Sequence, residues 1–124
     1  MERLHEAGVR LASLTNSTLA VSQAQLTNAG LDDLLEQMLS ADSVQRLKPA
    51  PEPYRMAAEQ LGIDVGALRL VAAHSWDIAG ALHAGCRAAF VARPGQMVDP
   101  SDAQPDIIGT DLHEVAERIL GADR

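Results

Sequence analysis

Short apolar runs alternate with stretches of helical spacing along this chain. The clearest run, Leu68-Arg69-Leu70-Val71-Ala72-Ala73, reads as a strand, and Asp77 to Ala84 reads as the helix after it, stopping at Gly85. Upstream, Glu2 to Ala7 reads as a helix ended by Gly8, and Val9 to Leu14 is a mostly apolar run suited to a strand buried on both faces. Ser17 is a suitable N-cap for a second helix, whose apolar positions Leu19, Leu26 and Ala29 precede Gly30. Met38 to Ala41 reads as a further short strand. The stretch Lys48-Pro49-Ala50-Pro51-Glu52-Pro53 is rich in turn formers and is expected to stay outside any helix interior, while Tyr54 to Leu61 has helical spacing up to Gly62. Ala88 to Val91 reads as a strand before a turn at Arg93-Pro94-Gly95. Ile107-Ile108 reads as a last short strand ahead of the helix Leu112 to Leu120.

Strands and helices alternating at this spacing predict an α/β fold: a Rossmann-like parallel sheet with right-handed crossovers, flanked by helices. The 124 residues suffice for one domain with a real core, and no internal repeat or linker divides them.

Composition narrows the partners. A net charge of −7 argues against nucleic acid or an anionic membrane surface, either of which wants a basic face. Aromatics make up 2% of the chain against 47% hydrophobic residues overall, so the core must be built mainly from Ala, Leu, Val and Ile. Cys86 is the single cysteine; it reads as a small buried apolar residue, with a reducing cytoplasm as the expected setting. No apolar run approaches the ~20 residues needed to span a bilayer, and the charged start carries no signal-peptide core.

In open α/β sheets ligands bind beyond the carboxyl ends of the strands. Three polar groupings fall there: Thr15-Asn16-Ser17, Lys48-Pro49, and His74-Ser75-Trp76-Asp77. Each has an ordinary explanation as well. Thr15 to Ser17 suits a helix cap, Lys48 a solvated lysine before a turn, and Asp77 a favourable charge in a helix's first turn; Trp76 suits packing.

As an ordered set, these residues resemble the haloacid dehalogenase superfamily over Leu4 to Leu120. Leu14-Thr15-Asn16 matches its second motif, a Ser or Thr ending a strand. Lys48 matches the lysine ahead of a helix, and Asp77 the acid after a strand. Phosphatases of the superfamily usually carry a Gly-Asp pair four to five residues before that last acid, where this chain has Ala72 and Ala73. A carboxylate that would help hold magnesium is therefore lacking. Trp76-Asp77 followed by Gly80-Ala81, and Lys48-Pro49 with Tyr54 six residues on, look like the 2-haloacid dehalogenase branch, which works without metal or other cofactor.

The resemblance implies a reaction in which an aspartate attacks carbon 2 of a small 2-halocarboxylate, expels halide and is freed by water. It further implies that Lys48 neutralises and orients that aspartate, that Asp77 fixes Lys48 and helps place the water, and that Thr15 and Asn16 hold the substrate carboxylate or nearby polar groups. The resemblance also implies that Tyr54 supports the site through its hydroxyl, with His74 and Trp76 as further supporting residues. Ala72 and His74 stand where the branch has Ser and Asn, so a hydroxyl near the water is lost, and His74 either donates in place of the amide or simply makes the pocket smaller. A metal role for His74 is not expected, because His5, His83 and His113 offer no compact ligand spacing with it.

Family members open with a strand ending in the nucleophilic aspartate, followed by a cap that supplies an arginine. This chain is expected to lack both and to be inactive alone, since Asp32, Asp33 and Asp42 follow no suitable strand. The missing strand is central in the family sheet, so its loss is expected to leave a poorly stable chain, or one that closes the gap by direct strand pairing or self-association. A homodimer is left open as a partner state. Two alternatives stand beside the dehalogenase reading: a non-catalytic Rossmann-like binding or assembly module, and a phosphatase of the same superfamily.

Overall fold

The computed structural model describes residues 2–95, 97 and 104–122. Five helices and five strands follow one another: α1 (Glu2–Glu6), β1 (Ala12–Thr15), α2 (Leu19–Asn28), β2 (Gln37–Ser40), α3 (Pro51–Leu61), β3 (Arg69–Ala72), α4 (Ser75–Ala84), β4 (Arg87–Val91), β5 (Ile107–Gly109) and α5 (Leu112–Ala122). Short 3₁₀ turns at Asp32–Leu34, Ala41–Val44 and Val65–Ala67 fill three of the connections. All strand pairings are parallel, with helices on both faces, as the alternating pattern predicts. No helix among the described residues is long and apolar enough to cross a membrane.

Local chemistry explains where elements differ from expectation. The first strand is shorter than Val9–Leu14, because the Val9 N–H closes the end of α1 on the Leu4 carbonyl at 3.0 Å. Thr18, not Ser17, caps α2, its hydroxyl accepting from the Val21 N–H at 3.4 Å. Ser17 belongs to the preceding turn, where its N–H donates to Thr15 Oγ1. Helix α3 begins at Pro51, ahead of the Tyr54 start that the spacing gives and within the stretch expected to stay outside any helix interior. Its two prolines lie in the first turn, where backbone N–H groups have no intrahelical acceptor to lose. Gly62 and Gly85 end α3 and α4 with φ of 69° and 102°, a conformation that costs glycine little.

The sheet comes in two parts. β1 pairs with β2 from Ala12↔Gln37 to Thr15↔Ser40, while β3, β4 and β5 form a separate three-stranded ladder. Direct pairing of β1 with β3, one of the expected ways to close the gap, is not made; among the described residues each keeps one unpaired edge. Packing nevertheless joins the parts. Leu14 of β1 and Leu70 of β3 both lie against a buried cluster of Tyr54, Ala81, Ala84 and Cys86 supplied largely by α3 and α4. On the other face, Leu4, Ala89, Val91, Ile107, Val115, Ala116 and Ile119 bury one another beneath α1 and α5, with Leu11 and Ala73 against them. Along β4 the alternation is plain: Ala88 and Phe90 face Ile78 of α4, whereas Ala89 and Val91 face α5.

Candidate active site

Two strand ends and one loop bring polar groups together. β1 delivers Thr15 and Asn16, the loop before α3 delivers Lys48, and the β3–α4 junction delivers His74, Trp76 and Asp77. The Lys48–Pro49 peptide bond is cis. Lys48 Nζ reaches Asp77 Oδ2 at 2.7 Å, each side chain only 9% exposed. Such a pair holds together because the low-dielectric surroundings strengthen it, but either member alone would be a stranded charge.

Tyr54 completes the cluster from α3. Its wholly buried hydroxyl donates to Asp77 Oδ1 at 2.6 Å, with the Asp77 carbonyl at 3.2 Å. Burial first, then the bond to Asp77, push the phenol well above its usual range, so it stays a donor throughout neutral pH. Both oxygens of Asp77 therefore have partners. Trp76 lies outside the pair, its ring centroid 5.8 Å from Lys48 Nζ, within range of a cation–π contact. The exposed His74 ring stacks on Trp76 with centroids 5.9 Å apart and planes 29° from parallel.

Asn16 meets the backbone of Lys48. Its Oδ1 accepts from the Lys48 N–H at 2.8 Å, and its Nδ2 donates to the Lys48 carbonyl at 3.2 Å. Thr15 Oγ1 turns back to accept from the Ser17 N–H at 3.0 Å. Six of the seven expected site residues thus form one connected group; Thr15 stands beside it, engaged in its own turn.

Two contributors escaped the sequence reading. Ser40 ends β2, and its hydroxyl donates to the Ser17 carbonyl at 2.6 Å, fixing the turn that carries Asn16. A hydroxyl at the end of a short apolar run, as at Thr15, was the available signal. Gly80 was noted as a motif residue without a role. A Cβ there would lie 2.7 Å from Pro49 Cβ, 2.7 Å from Tyr54 Oη and 2.9 Å from the Pro49 carbonyl. Glycine inside a helix is costly, and that cost was the clue to a close approach.

No three His, Cys, Asp or Glu side chains among the described residues are grouped to hold a metal ion. A surface hollow of about 360 Å³ is lined by His5, Arg10, Asp33 and Glu36 at the amino ends of β1 and β2, the opposite end from this cluster. Arg10 there is already committed to Glu36 at 2.8 Å and to the Leu61 carbonyl at 2.9 Å.

The chain is similar to known proteins. An (S)-2-haloacid dehalogenase of Pseudomonas sp. (strain YL) is 32% identical over 94% of this chain and 50% of its own length. A phosphoglycolate phosphatase of Neisseria meningitidis is 37% identical over 94% of the chain and 51% of its own. The solved L-2-haloacid dehalogenase of Xanthobacter autotrophicus, with chloropropionic acid covalently bound, shares the fold at a TM-score of 0.88 and 23% identity, over 96% of this chain and 58% of that one. The chain spans about half the length of the curated relatives it matches. The family model for haloacid dehalogenase-like hydrolases matches residues 1–91, and the chain belongs to that family.

Proposed function

We propose that this chain forms the core half of a hydrolase that removes halide from 2-haloalkanoic acids, giving 2-hydroxyalkanoic acids. The observation that carries the reading is the buried Lys48–Asp77–Tyr54 cluster at the strand ends, with alanine at 72 and 73 where a metal-holding acid would be needed. A carboxylate nucleophile supplied from outside these residues forms a bond to carbon 2, and the carbon–halogen bond breaks with its electron pair leaving on the halide. Water then cleaves the ester, releasing the hydroxy acid and a proton and restoring the carboxylate.

In this scheme Lys48 keeps the nucleophile ionised by standing next to it. Asp77 and, through it, Tyr54 hold that ammonium in place. Thr15 and Asn16 lie at the substrate carboxylate, while His74 and Trp76 line the approach. The strand bearing the nucleophile would occupy the space between the unpaired edges of β1 and β3, so the chain alone turns over no substrate. The working setting is the cytoplasm.

A phosphatase is the second reading, favoured by the 37% identity to the Neisseria enzyme. It has to supply a metal site without an acid at Ala73.

The test is halide release from 2-chloropropionate by the folded chain, alone and mixed with the upstream half of the Pseudomonas relative. No release alone and release on mixing is the expected result. Release by the chain alone would disprove the dependence on an outside nucleophile. A folded complex that frees no halide but hydrolyses p-nitrophenyl phosphate with magnesium would replace the dehalogenase by the phosphatase.

A further inference from the structure

The side chain of Asn16 spends both ends of its amide on a single residue, the backbone N–H and C=O of Lys48. Two bonds to one residue fix its orientation as well as its distance, whereas a single bond leaves a pivot. Lys48 needs such a hold. It lies in a segment, residues 45–50, with no helix or strand, and the Pro49 that follows has no N–H to offer. From this fixed backbone the side chain crosses to Asp77 in the first turn of α4. Asn16 follows β1 of the two-stranded part of the sheet and Asp77 lies in the helix after β3 of the three-stranded part, so Lys48 spans the two.

We infer that Asn16, besides its proposed place at the substrate carboxylate, is a positioning residue for Lys48, which acts by clamping the lysine backbone so that the ammonium meets Asp77. The inference rests on Lys48 being the ammonium of the proposed site. Its test reads placement and not turnover, so either can fail without the other.

Trp76 is the single tryptophan of the chain and lies 5.8 Å from Lys48 Nζ, which makes its emission a reporter of the ammonium. Asn16→Ala is expected to retain a cooperative melt and to shift Trp76 emission to the position given by Lys48→Met. The double variant should add no further shift. A folded Asn16→Ala chain with unchanged emission, or shifts that simply add, would overturn the clamp. Should Asn16→Ala fail to fold, Asn16→Asp keeps an acceptor for the Lys48 N–H but loses the donor; an intermediate shift is expected, and unchanged emission overturns the proposal. Hydrogen exchange at the Lys48 amide in the unaltered chain decides independently of any variant. Slowing by about tenfold relative to an open peptide is expected for the bond to Asn16, and exchange at the open-peptide rate sinks it.

Discussion

Tyr54 and Asp77 are joined at 2.6 Å by a phenol that has no route to water, beneath a helix that can come this close because Gly80 has no side chain. The carboxylate that holds Lys48 is thus itself held from below.

Removing that support should be measurable. Tyr54→Phe leaves Asp77 Oδ1 without its donor in a site that excludes solvent. The expected loss is about 1–3 kcal/mol in a urea melt. An unchanged midpoint would mean that the hydroxyl is not donating there.

Gly80→Ala sets two effects against each other. Alanine should favour the helix by about 1 kcal/mol. The added methyl meets Pro49 and the Tyr54 hydroxyl at 2.7 Å, and overpacking of this kind costs about 1–3 kcal/mol. Net destabilisation is expected, and a stabilised variant would show that α4 can move away freely.

Breaking the ion pair from one side is expected to cost more. Lys48→Met leaves Asp77 buried with one oxygen unpaired, at about 3–5 kcal/mol. The double variant Lys48→Met/Asp77→Leu should recover part of that loss, because no charge is then left stranded. Equal melts for the single and double variants would contradict the burial of the pair.

Alkaline pH should weaken the fold in a particular direction. Burial pushes the Cys86 thiol from 9.0 up to about 11, and the Tyr54 phenol is raised in the same sense. The folded chain therefore holds protons that the unfolded chain has already released. Their contribution is fully present below pH 9 and is lost as pH rises towards 11. Chemical denaturation across that range should show falling stability, and Cys86 should react with thiol reagents no faster than the chain opens. Rapid labelling of the folded chain would refute its burial.

The order of elements was legible because each signal is local: glycines at 62 and 85 stop helices, and apolar runs mark strands. The start of α3 was not, since a proline-rich stretch looks non-helical until its prolines are seen to occupy the first turn. Lys48, Asp77 and Tyr54 could be named from their order and residue types, but their shared geometry depends on residues 29 and 23 positions apart. Nothing in the sequence showed that Asn16 would bond to a backbone, because that contact comes from how a turn and a loop pack. Ser40 carried a signal, a hydroxyl ending a short apolar run, but its bond to the Ser17 carbonyl depends on the same packing. The division of the sheet likewise depends on which strands find neighbours, a non-local matter that hydrophobic pattern does not encode.

The span from Asn16 through Lys48 to Asp77 ties site chemistry to thermodynamic linkage. An anion that engages Lys48 while leaving its bond to Asp77 intact stabilises the joined arrangement by mass action, and melting should rise with its concentration. One that draws the ammonium off Asp77 strips a buried carboxylate of its partner and must offset that loss from its own binding energy. The sign of a ligand's effect on melting thus tells which side of the lysine it occupies, before any product is measured.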